Sequence, residues 1–231
     1  MSIDFSGFEK SIGVTFKDKA LLHTAFTHRS YLNENRKLSI EHNERLEFLG
    51  DAVLELIITE YLYEKYPEKN EGDLTSYRSA LVNAVTLSEV ARTLGMNDFM
   101  LLSRGESKDT GRARQIILAN AIEAFIGALY QDQGYEVTQT FIGKHIFHLI
   151  DEIVANRKWI DSKSLFQEKA QEIAGVTPSY ETVKEAGPDH DKKFTVAVFI
   201  GPEKIAEGEG KSKQEAEQEA ARLGLTAKGW E

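Results

Sequence analysis

The stretch "HNERLEFLGDAVLEL", residues 42–56, decides how this chain folds and what it can do. Its apolar residues recur at helical spacing, yet it also carries Glu44, Glu47, Asp51 and Glu55. At about 100° per residue, those four carboxylates share one side of a helix. Leu46, Leu49, Val53, Leu56 and Ile57 fall on the other side. Like charges three or four residues apart repel by about 0.2–0.5 kcal/mol per pair. Spacing alone favours the plain reading, an amphipathic helix with a solvated acidic face. A bound cation is the alternative, because it would offset the repulsion.

Two features argue against the plain reading. Phe48 lies on the acidic side, where an exposed aromatic suits a partner surface better than a merely solvated face. The second feature is "ILANAIEAFIGALY", residues 117–130, in which Asn120 and Glu123 share a face. Ala124 and Gly127 flank that pair, and Leu118, Ile122, Phe125 and Leu129 lie opposite. Small residues at that point let a second helix come close. Glu47 and Asp51 from one helix, with Asn120 and Glu123 from the other, would then supply four oxygen ligands. An oxygen-only set suits Mg²⁺, with Mn²⁺ as a substitute. Carboxylate-held divalent ions serve phosphodiester cleavage by activating water and stabilising developing charge.

The surrounding chain is consistent with a globular protein that has no other obvious chemistry. Its 231 residues are 41% hydrophobic and 10% aromatic, enough for one large domain or two smaller ones. There is no cysteine, so disulfides and thiolate metal sites are excluded, and a reducing compartment fits. The opening "MSIDFSGFEK" lacks the pattern of a signal peptide, and no apolar run approaches about 20 residues. A cytoplasmic protein with no membrane contact is expected. No phosphate-loop or nucleotide fingerprint appears, so no small-molecule organic cofactor is expected. The net charge of −9 argues against a polyanionic partner, although local patches rather than the total decide such binding.

Periodic apolar runs predict helices over roughly 18–30, 42–66, 73–94, 113–133 and 135–156, an all-α first domain spanning 1–157. After "NRKWIDSKS" the composition changes. The amphipathic "SLFQEKAQEIAG" is followed by three β-type runs, "PSYETVKEAG", "KKFTVAVFIG" and "EKIAEGEG", and then by the helix former "KSKQEAEQEAARLGL". Helix, three strands, helix predicts a compact α+β domain over 160–229.

"NERLEFLGDAVLEL" resembles the signature motif of the ribonuclease III family, endonucleases of double-stranded RNA. Similar agreement appears in "FTHRSY" (26–31), "EGDLTSYRSALV" (71–82) and "ANAIEAFIGALY" (119–130). The C-terminal part resembles a double-stranded-RNA-binding domain, most clearly in "GPDH" (187–190) and "GKSKQEAEQEAA" (210–221). The resemblance implies a multidomain protein, an all-α nuclease domain followed by an α-β-β-β-α RNA-binding domain. It implies that Glu47, Asp51, Asn120 and Glu123 hold the metal, with Asp51 and Glu123 central to catalysis. Glu44 and Glu71 match further cleavage-site acids, and Phe48 matches a dimer-contact position. Glu55 matches no functional position and reads as solvated charge. The implied partners are double-stranded RNA and a second copy of the chain. The implied products carry 5′-phosphates and short 3′ overhangs, and ribosomal RNA precursors and other structured transcripts are the implied substrates.

Asn120 departs from the pattern, since similar family members usually carry Asp there. An amide oxygen can ligate Mg²⁺ but brings no negative charge, so weaker metal affinity is expected. The alternative is a double-stranded-RNA-binding protein whose nuclease site is impaired. An all-α metal-binding scaffold with an unrelated appended domain is a more distant one.

The C-terminal region from residue 160 holds 10 lysines and arginines against 14 acids, so placement rather than total charge must carry RNA binding. Lys211 and Lys213 stand where the last helix begins, against the helix dipole, and a bound phosphate would meet both. By resemblance, Ser164, Gln167, Glu168 and Gln171 touch one minor groove and His190 the next, while Lys211 and Lys213 span the phosphates between. A lysine is common where Gln214 stands, so one phosphate contact is expected to be missing. His28 reads as a core or capping histidine. Arg104, Lys108, Arg112 and Arg114 belong to a loop that either meets RNA or is solvated.

Overall fold

The computed structural model describes residues 4–156, 161–188 and 192–230. The chain forms two compact units, 1–159 and 160–231. His190 and residues 157–160, where the two expected domains meet, lie outside the described residues.

Unit one is helical. In chain order its α-helices are α1 (Ser6–Ile12), α2 (Lys19–Ala25), α3 (Arg29–Glu34), α4 (Glu44–Lys65), α5 (Glu71–Val82), α6 (Ala84–Thr93), α7 (Arg112–Gln133), α8 (Tyr135–Ile142) and α9 (Leu149–Ala155). α1 was not foreseen, since seven residues are too few to show a period. The run expected over 73–94 is two helices, because Asn83 adopts an extended conformation and caps α6 by accepting from the Thr86 N–H at 3.0 Å. The run expected over 135–156 is interrupted by a π-helical turn at Gly143–Phe147.

α7 lies at the centre, its apolar residues from Ile117 to Leu129 buried and its Asn120 and Glu123 half-buried. Phe8, Phe16 and Phe141 pack their rings on Phe125 of α7, with centroids 5.6, 5.5 and 5.1 Å away. The "FTHRSY" segment fixes the start of α4. The Thr27 carbonyl accepts from the Asn43 N–H at 2.9 Å, and the buried Asn43 side chain donates to the Ala25 carbonyl at 3.3 Å. His28 caps α3 by accepting from the Ser30 N–H.

Unit two consists of α10 (Ser162–Ala174), β1 (Ser179–Ala186), β2 (Lys193–Ile200), β3 (Glu203–Gly210) and α11 (Lys213–Lys228). The sheet is antiparallel in the order β1-β2-β3. Its core gathers Phe166 of α10, Val198 of β2, and Ala220, Ala221 and Leu225 of α11. Gly224 admits the Phe166 ring, for a Cβ there would lie 2.8 Å from it. Gly175 ends α10 in the left-handed region, a conformation glycine adopts without a Cβ clash.

Candidate active site

The most extensive packing between elements in the chain is that of α4 on α7. It is a backbone-to-backbone contact. A Cβ on Gly50 would lie 1.8 Å from the Glu123 carbonyl oxygen and 2.8 Å from the Gly127 nitrogen. A Cβ on Gly127 would lie 2.2 Å from the Leu46 carbonyl oxygen. Asp51 follows Gly50 and Glu47 stands one turn before it, so this contact carries both toward Asn120 and Glu123 of α7.

The acids of α4 and α7 act on one another electrostatically. The Asn120 side chain hydrogen-bonds the Glu47 carboxylate. Burial foremost, followed by the charges of Glu44 and Asp51, pushes the Glu47 carboxyl up. Glu123 is pushed up to about 8, first by burial and then by Asp51, Glu47 and Glu55. Among the described residues, the charged groups that raise it are all acids. Glu55, expected to be a bystander, is close enough to contribute. Among the described residues no three acidic or histidine side chains draw together tightly enough to hold an ion. The donor set fits a hard divalent cation all the same, since it is oxygen-only and acids surround the half-buried Glu123 on the side of α4.

Glu44 stands at the rim on the first turn of α4, 3.4 Å from Arg29 and 3.8 Å from His42. Burial holds the nearby His28 below its usual value. Glu71 begins α5 and accepts from the Thr75 hydroxyl at 3.3 Å. Among the described residues no hydrogen bond or ion pair joins it to the α4–α7 acids. Arg114 corrects the expectation for its loop, because it neither faces solvent nor is free for RNA. Its guanidinium is buried and donates to the Glu106, Ser107 and Asp109 carbonyls at 3.0–3.1 Å.

Beside the acids, α4 presents an apolar stripe of Phe48, Leu56 and Tyr63, which are 82%, 52% and 74% exposed. Leu56 had been expected on the core side. The buried arc runs instead through Leu46, Gly50, Val53, Leu54, Ile57, Ile58 and Leu62. Gly50 was the residue sequence reasoning missed at this site, although a lone glycine inside a helical pattern is a signal of close packing.

In unit two, Ser164, Gln167, Glu168 and Gln171 lie on the exposed side of α10. Ser164 donates to Asp161 at 2.8 Å, and Gln171 donates to Thr177 at 3.1 Å. Lys211 and Lys213 frame the start of α11, where the Ser212 hydroxyl accepts from the Glu215 N–H at 3.1 Å. Lys213 forms an ion pair with Glu185 at 2.9 Å.

Comparison with known proteins agrees with this architecture. Residues 18–150 match the ribonuclease-III-like family, and residues 162–227 match the double-stranded RNA binding motif. Ribonuclease 3 from Geobacillus thermodenitrificans is 45% identical over 96% of this chain and 89% of its own length. Ribonuclease 3 from Streptococcus gordonii is 48% identical over 91% of this chain and 90% of its own. Among solved structures, the nuclease domain of ribonuclease III from Campylobacter jejuni is similar, with a TM-score of 0.55 and 40% identity. That match covers 62% of this chain and 98% of the other, whose structure is described for flexibility in a region involved in dimer formation.

Proposed function

This chain belongs to the ribonuclease III family, and on that premise we propose that the α4–α7 oxygens are the cleavage centre of its double-stranded-RNA endonuclease activity. The observation that supports the assignment is the close Gly50–Gly127 packing of α4 on α7, which leaves Glu47 and Asp51 near enough to the half-buried Glu123 for their charges to raise its carboxyl.

A divalent cation, Mg²⁺ by the chemistry of the donors with Mn²⁺ as substitute, would be held by Glu47, Asp51, Asn120 and Glu123. Such an ion supplies a water of lowered pKa and positive charge against the developing oxyanion. The chain's own residues hold the acids in register, keep Glu123 half-buried, and place Glu44 at the rim beside Arg29. Asn120 must present its oxygen to ligate, so its amide would turn away from the Glu47 hydrogen bond. Three carboxylates remain without it, which favours a weakened centre over a lost one. Glu71 is proposed as a further cleavage-site acid on the family resemblance alone.

Unit two supplies duplex recognition, with α10 toward one minor groove and Lys211 and Lys213 toward phosphates. The exposed Phe48 on the α4 stripe supports a homodimer formed through the nuclease domain, as does the dimer-forming region described for the Campylobacter jejuni domain. A dimer with one centre per subunit could cut both strands. Proposed products carry 5′-phosphates and short 3′ overhangs, from ribosomal RNA precursors, messenger RNAs and other structured transcripts. With no cysteine to oxidise, the chain suits the cytoplasm. Among the described residues no helix is long and apolar enough to cross a membrane.

Incubation of an end-labelled RNA duplex with Mg²⁺, beside Asp51→Ala, tests the proposal. Cutting by the native chain and binding without cutting by the variant are expected. Binding without cutting by both, at every Mg²⁺ and Mn²⁺ concentration, would leave only an RNA-binding protein.

A further inference from the structure

A second lysine stands beside Lys213 in unit two, and neither composition nor motif singles it out. Glu185, near the end of β1, lies directly across from Phe194 of β2. Its carboxylate divides between two cations. Oε1 is 2.9 Å from the Lys213 ammonium, and Oε2 is 3.3 Å from that of Lys192. Both ammonium groups also lie over the Phe194 ring, at 5.7 and 5.8 Å from its centre. Phe194 is in register with Gly210 of β3, and a Cβ on Gly210 would lie 2.5 Å from the Ala216 nitrogen of α11. The strand ends and the start of α11 are thus locked together, and the lysine pair is built on that junction.

All three charged side chains are partly exposed, so each ion pair contributes little to stability on its own. Two cations around one carboxylate leave a local charge of +1. An ammonium has three donors, and each of these lysines gives one to Glu185. The remaining donors are available to an anion with two adjacent acceptor oxygens. A backbone phosphodiester presents two non-bridging oxygens.

We propose that Lys192 is a further phosphate-contacting residue for duplex RNA, and that Glu185 with Phe194 is the positioning device that aligns it with Lys213. This inference rests on the reading of unit two as a double-stranded-RNA reader and adds a residue and an alignment mechanism to it. The carboxylate costs some attraction for the polyanion, yet it removes rotamer freedom from two flexible side chains before RNA arrives.

The test is duplex-RNA affinity of the full chain against salt concentration, in the absence of divalent ions. Lys192→Ala is expected to weaken binding several-fold. It should also reduce the slope of log K against log salt by roughly 0.7–0.9, the value of one phosphate contact. Lys192→Arg should restore the slope. Glu185→Ala is expected to weaken binding about threefold despite removing a negative charge. An unchanged slope in Lys192→Ala would overturn the contact, and tighter binding by Glu185→Ala would overturn the positioning role. Failure of the native chain to bind any duplex would instead overturn the RNA-reading assignment.

Discussion

Gly50 of α4 rests on the backbone carbonyl of Glu123 in α7, with no space for a methyl group between them. A Cβ on Gly50 would stand 1.8 Å from that oxygen, and the obstacle is main chain that no rotamer change can move. Gly50→Ala must therefore push the helices apart, at a cost of about 3 kcal/mol or more by the scale of overpacked cores. Urea denaturation would read this as a lower midpoint with a similar slope. Cleavage should fall further than the loss of folded protein accounts for, because Asp51 and Glu123 separate together. A variant with the native midpoint would show that the helices yield easily.

Glu123 has a carboxyl value of about 8 in the fold against an ordinary 4.5. A raised folded value means that the protonated form is the stabilising one. Its contribution is complete below about 4.5 and is lost as pH rises through about 8. Metal-free protein should therefore melt lower at pH 8.5 than at pH 6, and Glu123→Gln should flatten that difference. Mg²⁺ should raise the native melting temperature at pH 8.5 more than the variant's. Parallel pH profiles for the two proteins would contradict this account of Glu123.

Asn120→Asp exchanges a hydrogen bond to Glu47 for a fourth carboxyl group. Without metal the variant should lose roughly 1–3 kcal/mol, since Glu47 is left half-buried without its donor. With metal it should gain affinity, because a carboxylate replaces an amide ligand. Thermal melts with and without Mg²⁺, together with the Mg²⁺ concentration for half-maximal cleavage, separate the two effects. A variant that neither lowers that concentration nor cuts faster would rule out a role for this position in metal affinity.

Phe48 protrudes from α4 at 82% exposure, beside Leu56 and Tyr63. Phe48→Glu should shift the sedimenting species from dimer to monomer while leaving the helical spectrum unchanged, because the side chain supports no intramolecular packing. A variant that remains dimeric would place the subunit contact elsewhere, and a monomeric native chain would overturn the proposed dimer.

The long periodic helices and the three strands were legible because their cores demand repeating apolar positions. The acidic faces were legible too, since Glu47 and Asp51 in one segment, and Asn120 and Glu123 in the other, recur at helical spacing. What stayed hidden depended on tertiary partners. Asn83 splits a helix through its own side chain, and a π turn interrupts another, and neither alters the apolar period enough to be read. Leu56 looked like core on a helical wheel because the wheel cannot tell where α7 sits. Arg114 looked like a surface cation because only the folded loop offers it three carbonyls. The Glu185 device was invisible because its members come from two strands and a helix.

The single-turnover rate of duplex cleavage by Glu123→Gln, with duplex affinity measured in parallel, bears most directly on the α4–α7 centre. The substitution keeps shape and removes one ligand charge. The expected result is a rate lowered on the order of 10³-fold with affinity within about threefold of native. Cleavage at the native rate by a folded, duplex-binding Glu123→Gln protein would contradict the assignment of the cleavage centre.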